Sequence, residues 1–209
     1  MEKQLEYLCR LINAIDVLYH NETAGWVKTQ RQLPNLKKMT VADIESEGTL
    51  YENIFHYIGF LNSRSYLYEL PAIEPGEYKM MARVKTSNSV DSKIQTYMSE
   101  AHAYGKVPVN KCVNDLYGLR VILPKTMTPE QLICFVTETY GNKYRCVDSS
   151  KGEYKAVHLY YKAGNTVFPW ELQIWNQVDA AGNLHSHKLY KQDYTVWERE
   201  SLKGGCVDG

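Results

Sequence analysis

The stretch Tyr78–Gln95, YKMMARVKTSNSVDSKIQ, joins a segment with strand character to one with helix character. Arg83 and Lys85 lie two residues apart at the end of the predicted strand, so their side chains point the same way. Ser89 and Lys93 lie four residues apart on the predicted helix and share one face. A strand that leads into a helix N-terminus offers backbone donors and a favourable dipole to phosphate. This corner favours a polyphosphate site; the alternative is a solvated strand end followed by an ordinary surface helix.

The residues before this corner predict helices. An apolar residue recurs at three- and four-residue steps at Leu5, Leu8, Ile12, Ile15 and Tyr19. Residues 24–40 lose this pattern, which predicts a loop or a short helix. Thr40 is expected to cap a second helix that continues to residue 62. The prolines and glycine of residues 69–77 end the helical region.

The residues after the corner alternate between the two kinds of element. The sequence predicts a helix over 87–105 and another that is capped by Thr128 with Pro129 at its first position. Strands are expected at 77–86, 116–123, 156–164 and 169–176, and a closing helix at 184–204. This order predicts an α+β fold, with a mixed β-sheet flanked by helices and an N-terminal helical lobe. We expect residues 1–75 to pack on a core domain formed by residues 76–209.

Composition excludes several classes of protein. The 24 basic and 24 acidic residues give zero net charge, so an anion site must arise from local clustering. The five cysteines include no CxxC pair, which argues against a disulfide framework and a structural zinc site. No segment approaches the ~20 apolar residues that a membrane helix needs. We therefore expect a cytoplasmic protein without a membrane partner.

Two carboxylates are candidates for catalysis. Asp115 precedes the strand that contains Arg120, and a carboxylate at a strand start is a natural Mg²⁺ ligand. Glu171 and Gln173 alternate with apolar residues, so they share one face of their strand. A glutamate beside Asp115 could bind metal or deprotonate a hydroxyl. Alternatively, Asp115 could be a structural residue of a turn, and Glu171 and Gln173 could lie on the hydrated outer face of an amphipathic strand.

An aromatic residue follows a glycine-containing turn in KGEYKAVH, residues 151–158. Tyr154 on such a loop could stack on a nucleotide base, with His158 four residues further on. Either residue could instead be structural, since the chain has 17 tyrosines.

Four motifs together suggest a family. In chain order they are RVKTSNSVDSK (83–93), DLYGLRV (115–121), GEYKAVH (152–158) and ELQI (171–174). With this set the chain, over about residues 78–191, resembles the synthetase domain of the RelA/SpoT family, the alarmone synthetases. The resemblance implies a nucleotidyltransferase-like fold and a small, synthetase-only member. In that family, the β,γ-pyrophosphate of ATP moves to the 3′-hydroxyl of a guanosine nucleotide.

The resemblance also implies roles for individual residues. Binding of ATP would involve Arg83, Lys85, Ser89, Lys93 and Arg120, with the two arginines around adenine and the others on the phosphates. Binding of the acceptor would involve Tyr154, Lys155, His158 and Gln173, with the tyrosine stacked on the base. Asp115 would bind Mg²⁺, and Glu171 would share that ion or activate the acceptor hydroxyl.

The acceptor side departs from the family pattern. Gly152–Glu153 replaces the usual Asn-Gly, and Trp175 replaces an arginine. The identity of the acceptor therefore stays open. It could be GDP or GTP, which would yield (p)ppGpp. It could instead be the tRNA 3′ end or an adenosine nucleotide, as in toxin-type members of the family that pair with an antitoxin protein. A tRNA could be guided by the basic residues Lys28, Arg31, Lys37 and Lys38. A third hypothesis is an inactive nucleotide-binding regulatory module.

Overall fold

The computed structural model of the protein describes residues 2–64 and 78–186. Five strands form one sheet in the order β1-β2-β5-β4-β3. Their bounds are β1 Lys79–Val84, β2 Tyr117–Leu123, β3 Arg145–Asp148, β4 Val157–Tyr161 and β5 Trp170–Asn176. β2 and β5 are parallel, whereas all other neighbours are antiparallel. The predicted α+β fold with a mixed sheet and flanking helices is confirmed.

Helices surround this sheet. Their bounds are α1 Glu2–Thr29, α2 Val41–Ser46, α3 Gly48–Asn62, α4 Ser87–Tyr97, α5 Val109–Cys112 and α6 Pro129–Tyr140. Short 3₁₀ turns cover Glu100–His102 and Gln177–Asp179, and residues 180–186 are helical. Over the ranges 2–64 and 78–186, none of the helices combines the length and apolar character needed to cross a membrane.

One face of the sheet packs on the N-terminal helices. The indole N–H of Trp170 on β5 donates to the hydroxyl of Tyr57 on α3 at 2.7 Å. Tyr19 on α1 lies against the same indole, with ring centroids 5.3 Å apart. The hydroxyl of Tyr161 on β4 donates to the carbonyl of Ile12 at 3.4 Å. The helices and the sheet therefore share one apolar core.

The opposite face carries polar side chains in two rows across the strands. One row contains, in register, Arg83, Gly118, Glu171, Tyr160 and Arg145. The next row contains Met81, Arg120, Gln173, His158 and Val147. Because side chains alternate between faces along each strand, the predicted site residues of four strands meet on this surface.

The N-terminal boundaries differ from the prediction. α1 continues to Thr29, whereas a loop or short helix was predicted from residue 24. Trp26 explains the extension, because its buried ring packs against Tyr57 and Phe60 at centroid distances of 5.1 and 5.5 Å. The second helix is also interrupted: Glu47, at φ −114° and ψ 89°, separates α2 from α3.

Later boundaries differ as well. The helix predicted over 87–105 ends at Tyr97, and a 3₁₀ turn follows. Gly105 closes this region at φ +79°, where a Cβ would lie 2.9 Å from the backbone nitrogen of Ala42, so only glycine fits. β3 was not predicted. Of the predicted closing helix over 184–204, residues 187–204 lie outside the described residues.

The predicted helix caps agree with the structure. The carboxylate of Asp43 accepts a hydrogen bond from the backbone N–H of Thr40 at 2.6 Å. Thr128 and Gln131 form a capping box at the start of α6, and Pro129 occupies its first turn.

Candidate active site

The corner between β1 and α4 holds two lysines around one carboxylate. Lys85 Nζ lies 2.6 Å from Asp115 Oδ2, and Lys93 Nζ lies 2.9 Å from Asp115 Oδ1. Lys93 Nζ also donates to Asn114 Oδ1 at 3.3 Å. The geometry follows from topology, because Lys85 directly follows β1 while Asp115 precedes the antiparallel neighbour β2. Lys85, Lys93 and Asp115 therefore form a three-membered ion cluster.

This cluster is mostly shielded from solvent. Side-chain exposure is 14% for Lys85, 24% for Lys93 and 13% for Asp115. Burial opposes ionisation of Asp115, but the two lysines outweigh it and lower the pKa of that carboxyl well below its usual range. Burial likewise opposes the charge of Lys93, but Asp115 outweighs it and raises the lysine pKa. Burial lowers the pKa of Lys85, and the Lys93 charge adds to this effect. With all three groups charged, the cluster carries one net positive charge.

The start of α4 adds neutral donors beside that charge. Thr86 is the N-cap, and its hydroxyl oxygen accepts a hydrogen bond from the backbone N–H of Ser89 at 3.4 Å. The Thr86 hydroxyl also donates to Ser89 Oγ at 2.9 Å. Ser89 therefore lies in the first turn, where the helix dipole favours an anion. Lys93 follows one turn later on the same side of the helix.

The two arginines of the predicted adenine site have different surroundings. Arg120 lies on β2, and its Nε and Nη2 donate to Gln173 Oε1 at 3.1 and 2.9 Å. Its guanidinium carbon lies 3.5 Å from the centroid of the Trp175 ring. Burial lowers the pKa of Arg120 to about 10. Arg83 on β1 is exposed, and it makes no hydrogen bond or ion pair within the described part of the chain.

Glu171 lies at the centre of a hydrogen-bonded network. Its Oε1 accepts from the hydroxyl of Tyr160 at 3.0 Å and lies 2.9 Å from His158 Nδ1. Its Oε2 accepts from Gln173 Nε2 at 2.8 Å. Only 5% of Glu171 is exposed. Burial opposes its ionisation, but the hydrogen bond and charge of His158 outweigh burial and lower the pKa of Glu171.

Tyr154 connects to this network through His158. The Tyr154 hydroxyl lies 2.9 Å from His158 Nε2 and accepts from the indole N–H of Trp175 at 3.3 Å. Burial raises the pKa of Tyr154 to about 12, so the phenol stays protonated and can donate to the imidazole. Gly152, at φ +58°, makes the preceding turn. The structure therefore brings Tyr154, His158, Gln173 and Glu171 together.

Lys155 has a different position. Its backbone is fixed by Asn183, which accepts from the Lys155 N–H and donates to its carbonyl, both at 2.8 Å. Its side chain is exposed. Hydrogen bonds from Ser150 lower the pKa of Asp148, and the charge of Lys155 adds to this effect. Lys155 is therefore fixed through its backbone, while its side chain is exposed to solvent.

The two predicted metal ligands suit an ion that arrives with its substrate. Each oxygen of Asp115 accepts from a lysine, and both oxygens of Glu171 are also engaged. Within residues 2–64 and 78–186, no three His, Cys, Asp or Glu side chains form a metal-binding group. Mg²⁺ commonly binds through one or two carboxylates together with substrate phosphates and water. Asp115 and Glu171 fit that mode.

Sequence reasoning missed several residues of this site. They are Asn114, Tyr160 and Asn183, whereas Trp175 was noted only as a departure from the family pattern, without its contact to Arg120. The two-residue spacing of His158 and Tyr160 on β4 was a usable signal, because it places both on one strand face. Asn183 gave no signal, since only tertiary structure brings it to Lys155.

Several proteins of known structure are similar to this chain. The chain is similar to the small alarmone synthetase 1 from Bacillus subtilis bound to its product pppGpp, with 16% identity, 68% of this chain and 78% of that chain covered, and a TM-score of 0.38. It is similar to a GTP pyrophosphokinase family protein from Streptococcus pneumoniae, with 15% identity, coverage of 69% and 76%, and a TM-score of 0.40. It is also similar to the small alarmone synthetase 2 from Bacillus subtilis, with 19% identity, coverage of 72% and 81%, and a TM-score of 0.36. No protein-family model matches the chain, and no curated protein does. Small alarmone synthetases are therefore among the solved structures that this chain resembles.

Proposed function

We propose that the protein transfers the β,γ-pyrophosphate of ATP to the 3′-hydroxyl of a guanosine nucleotide, GDP or GTP. The observation that carries this proposal is the ion cluster of Lys85, Asp115 and Lys93, which adjoins the strands that present Arg120 and Glu171 on one sheet face. Cations for phosphates, arginines for a base and a buried carboxylate for a hydroxyl are the parts that this reaction needs.

The donor half of the reaction uses the corner at α4. A bound triphosphate would accept hydrogen bonds from Lys85, Lys93 and the first turn of the helix. Phosphoryl-type transfer depends mainly on positioning and charge neutralisation, which these cations supply. Arg83 and Arg120 would lie flat against adenine, since a planar guanidinium stacks on aromatic rings.

Asp115 and Glu171 would hold Mg²⁺ together with the substrate phosphates. The ion would neutralise part of the negative charge that develops on the transferred group. Phosphate oxygens would then become partners of Lys85 and Lys93, whose present partner is Asp115.

The acceptor half uses Glu171. Its carboxylate would accept the proton of the 3′-hydroxyl as that oxygen attacks the β-phosphorus of ATP. The new bond joins the 3′-oxygen to phosphorus, the bond from the β-phosphorus to the α,β-bridging oxygen breaks, and AMP leaves. Tyr160 and His158 hold the carboxylate in place through its Oε1. Tyr154 would stack on the acceptor base, with Gln173 and Lys155 as further contacts.

Label transfer tests the proposal. The protein is incubated with Mg²⁺ and γ-labelled ATP, separately with GDP, GTP, no acceptor or bulk tRNA. We expect label in a tetra- or pentaphosphate of guanosine. Tight binding of an ATP analogue without label in any acceptor would instead support an inactive nucleotide-binding module.

A second candidate acceptor is the tRNA 3′ end, and one observation favours it. Leu36 donates its backbone N–H to the Asn165 carbonyl at 2.7 Å, so the segment with Lys37 and Lys38 adjoins the β4–β5 loop that carries Lys162. Burial lowers the pKa of Lys162, and the nearby charge of Lys37 adds to this effect. Such a basic group could contact an RNA backbone. The alternative keeps the same donor chemistry and changes only the acceptor.

A further inference from the structure

We propose that Trp175 is a positioning residue for recognition of the adenine base: its indole holds the guanidinium of Arg120 flat, so that the opposite guanidinium face can stack on adenine. This inference rests on the proposed function, because it assigns the base of the same ATP. It concerns a residue at which the chain departs from the family pattern, with tryptophan in place of arginine.

The first observation is the geometry of the stack. The guanidinium carbon of Arg120 lies 3.5 Å from the indole centroid of Trp175, which is van der Waals contact. No ligand can enter on that side. Trp175 has no exposed surface, whereas Arg120 is partly exposed, so solvent reaches the Arg120 side chain from outside this contact.

The second observation is that the guanidinium is also held at its edge. Nε and Nη2 of Arg120 donate to one oxygen of Gln173 at 3.1 and 2.9 Å. The amide of Gln173 cannot rotate freely, because its Nε2 donates to Glu171 Oε2 at 2.8 Å. A face contact and an edge contact together fix both the position and the plane of the guanidinium.

The third observation explains why tryptophan is suited to this position. Trp175 shares the β5 face with Glu171 and Gln173, and its neighbour in register on β2 is Ile122, two residues after Arg120. Its indole N–H is satisfied by the Tyr154 hydroxyl at 3.3 Å, so the large ring is buried without an unpaired donor. Among aromatic side chains, indole attracts a cation most strongly.

The contribution of the base can be separated from that of the phosphates. Binding of a non-hydrolysable ATP analogue and of inorganic tripolyphosphate, each with Mg²⁺, is measured by calorimetry. The variants are Trp175→Phe, which keeps a ring, and Trp175→Met, which fills space without one. The control is Trp170→Phe, because Trp170 is an equally buried tryptophan of β5 on the opposite sheet face.

We expect Trp175→Met to weaken binding of the ATP analogue about tenfold, the size of a desolvated cation–π contact, with tripolyphosphate affinity unchanged. Trp175→Phe should retain most of the analogue affinity, and Trp170→Phe should retain all of it. Equal analogue affinity in Trp175→Met and wild type, or equal losses for both ligands, would overturn the inference.

A fluorescence titration keeps the test decisive if Trp175→Met does not melt cooperatively. The ATP analogue should change tryptophan emission in the wild type and in Trp170→Phe, but not in Trp175→Phe; an undiminished change in Trp175→Phe would overturn the inference. Failure of the proposed function gives a different result, because the wild type would then bind the analogue no better than tripolyphosphate, or bind neither.

Discussion

The two halves of the candidate site are built from different interactions. The corner at α4 is a cluster of full charges, in which Asp115 contacts Lys85 and Lys93 at 2.6 and 2.9 Å. The half around Glu171 places one buried carboxylate among polar and aromatic side chains, chiefly Tyr160 and Gln173. Charge neutralisation suits a polyphosphate donor, whereas a fixed and shielded carboxylate suits removal of a proton from a neutral hydroxyl.

This difference implies different sensitivities to mutation. Loss of one charge at the corner leaves the other charges buried without compensation, so stability and catalysis should fall together. Glu171→Gln keeps one oxygen that can accept from Tyr160 and His158, so catalysis should fall far more than stability.

The largest expected effect is on turnover in Glu171→Gln. Because the amide cannot accept a proton, we expect label transfer to fall by about 10²–10⁴-fold. Tyr160→Phe is the matched control: it removes one hydrogen bond to the same carboxylate and should cost about tenfold. Steady-state assays at saturating ATP measure both. Normal turnover in Glu171→Gln, with unchanged thermal melting, would refute the role of Glu171 as base.

The next largest effect is on stability, and it distinguishes the charged corner at α4 from the half around Glu171. Asp115→Asn should abolish transfer and also lower the free energy of unfolding by about 3–5 kcal/mol, because it leaves two buried ammonium groups without a counter-ion. Urea unfolding measures this loss, and Asp148→Asn at an exposed strand edge should change little.

The same cluster should make stability depend on pH. The folded-state pKa of Asp115 is lowered, so its stabilisation is complete above the ordinary carboxyl pKa of about 4 and is lost as the pH falls below that value. Unfolding measured from pH 7 to pH 3 should show a smaller loss of stability in Asp115→Asn than in the wild type. Parallel curves for the two proteins would argue against a buried ionised cluster.

A smaller effect concerns the acceptor. Tyr154→Ala should weaken use of the acceptor by the loss of one base-stacking contact, about 1–3 kcal/mol, and should weaken binding of an ATP analogue much less. Tyr154→Phe keeps the ring and serves as the control. Kinetics with varied acceptor and calorimetry with the analogue give the two numbers. A collapse of ATP affinity instead would show that the tyrosine belongs to the donor half.

The smallest effect distinguishes a mononucleotide from tRNA. The variant replaces four exposed basic residues by glutamate: Lys28, Arg31, Lys37 and Lys38. We expect its rate of transfer to GDP or GTP to stay within about twofold of the wild-type rate, because a mononucleotide needs no distant backbone contacts. The control variant replaces Lys3 and Lys125 by glutamate. These exposed lysines lie near the other end of β2, so the control reverses charge away from the basic segment. If tRNA were labelled, and labelling fell steeply with salt and vanished in the first variant alone, tRNA would replace the mononucleotide as acceptor.

The charged half could be predicted from sequence only where its geometry is local, because its contacts with Asp115 join residues 22 and 30 positions apart. The spacing from Arg83 to Lys93 follows from strand and helix periodicity, and α4 begins at Ser87, where the predicted helix begins. The strand that begins after Asp115 was visible as an apolar run.

The other half could be predicted only in part because its contacts span the chain. The stack of Arg120 on Trp175 and the support of Lys155 by Asn183 join residues 55 and 28 positions apart, and no periodicity encodes them. β3 was missed because it is four residues long, and its burial does not alternate clearly. The extension of α1 was missed because Trp26 packs on α3, a tertiary contact that overrides the loss of periodicity after residue 23.

The most direct test of the account is the identity of the nucleotide released from ATP. Transfer of an intact pyrophosphate releases one AMP for each acceptor modified, whereas phosphate transfer or hydrolysis of the terminal phosphate releases ADP. We predict that purified protein with Mg²⁺, ATP and GDP forms AMP and a guanosine product in equal amounts, and forms neither when the acceptor is 3′-deoxy-GDP. Release of ADP, or of AMP at the same rate with the 3′-deoxy acceptor, would contradict pyrophosphate transfer to a 3′-hydroxyl.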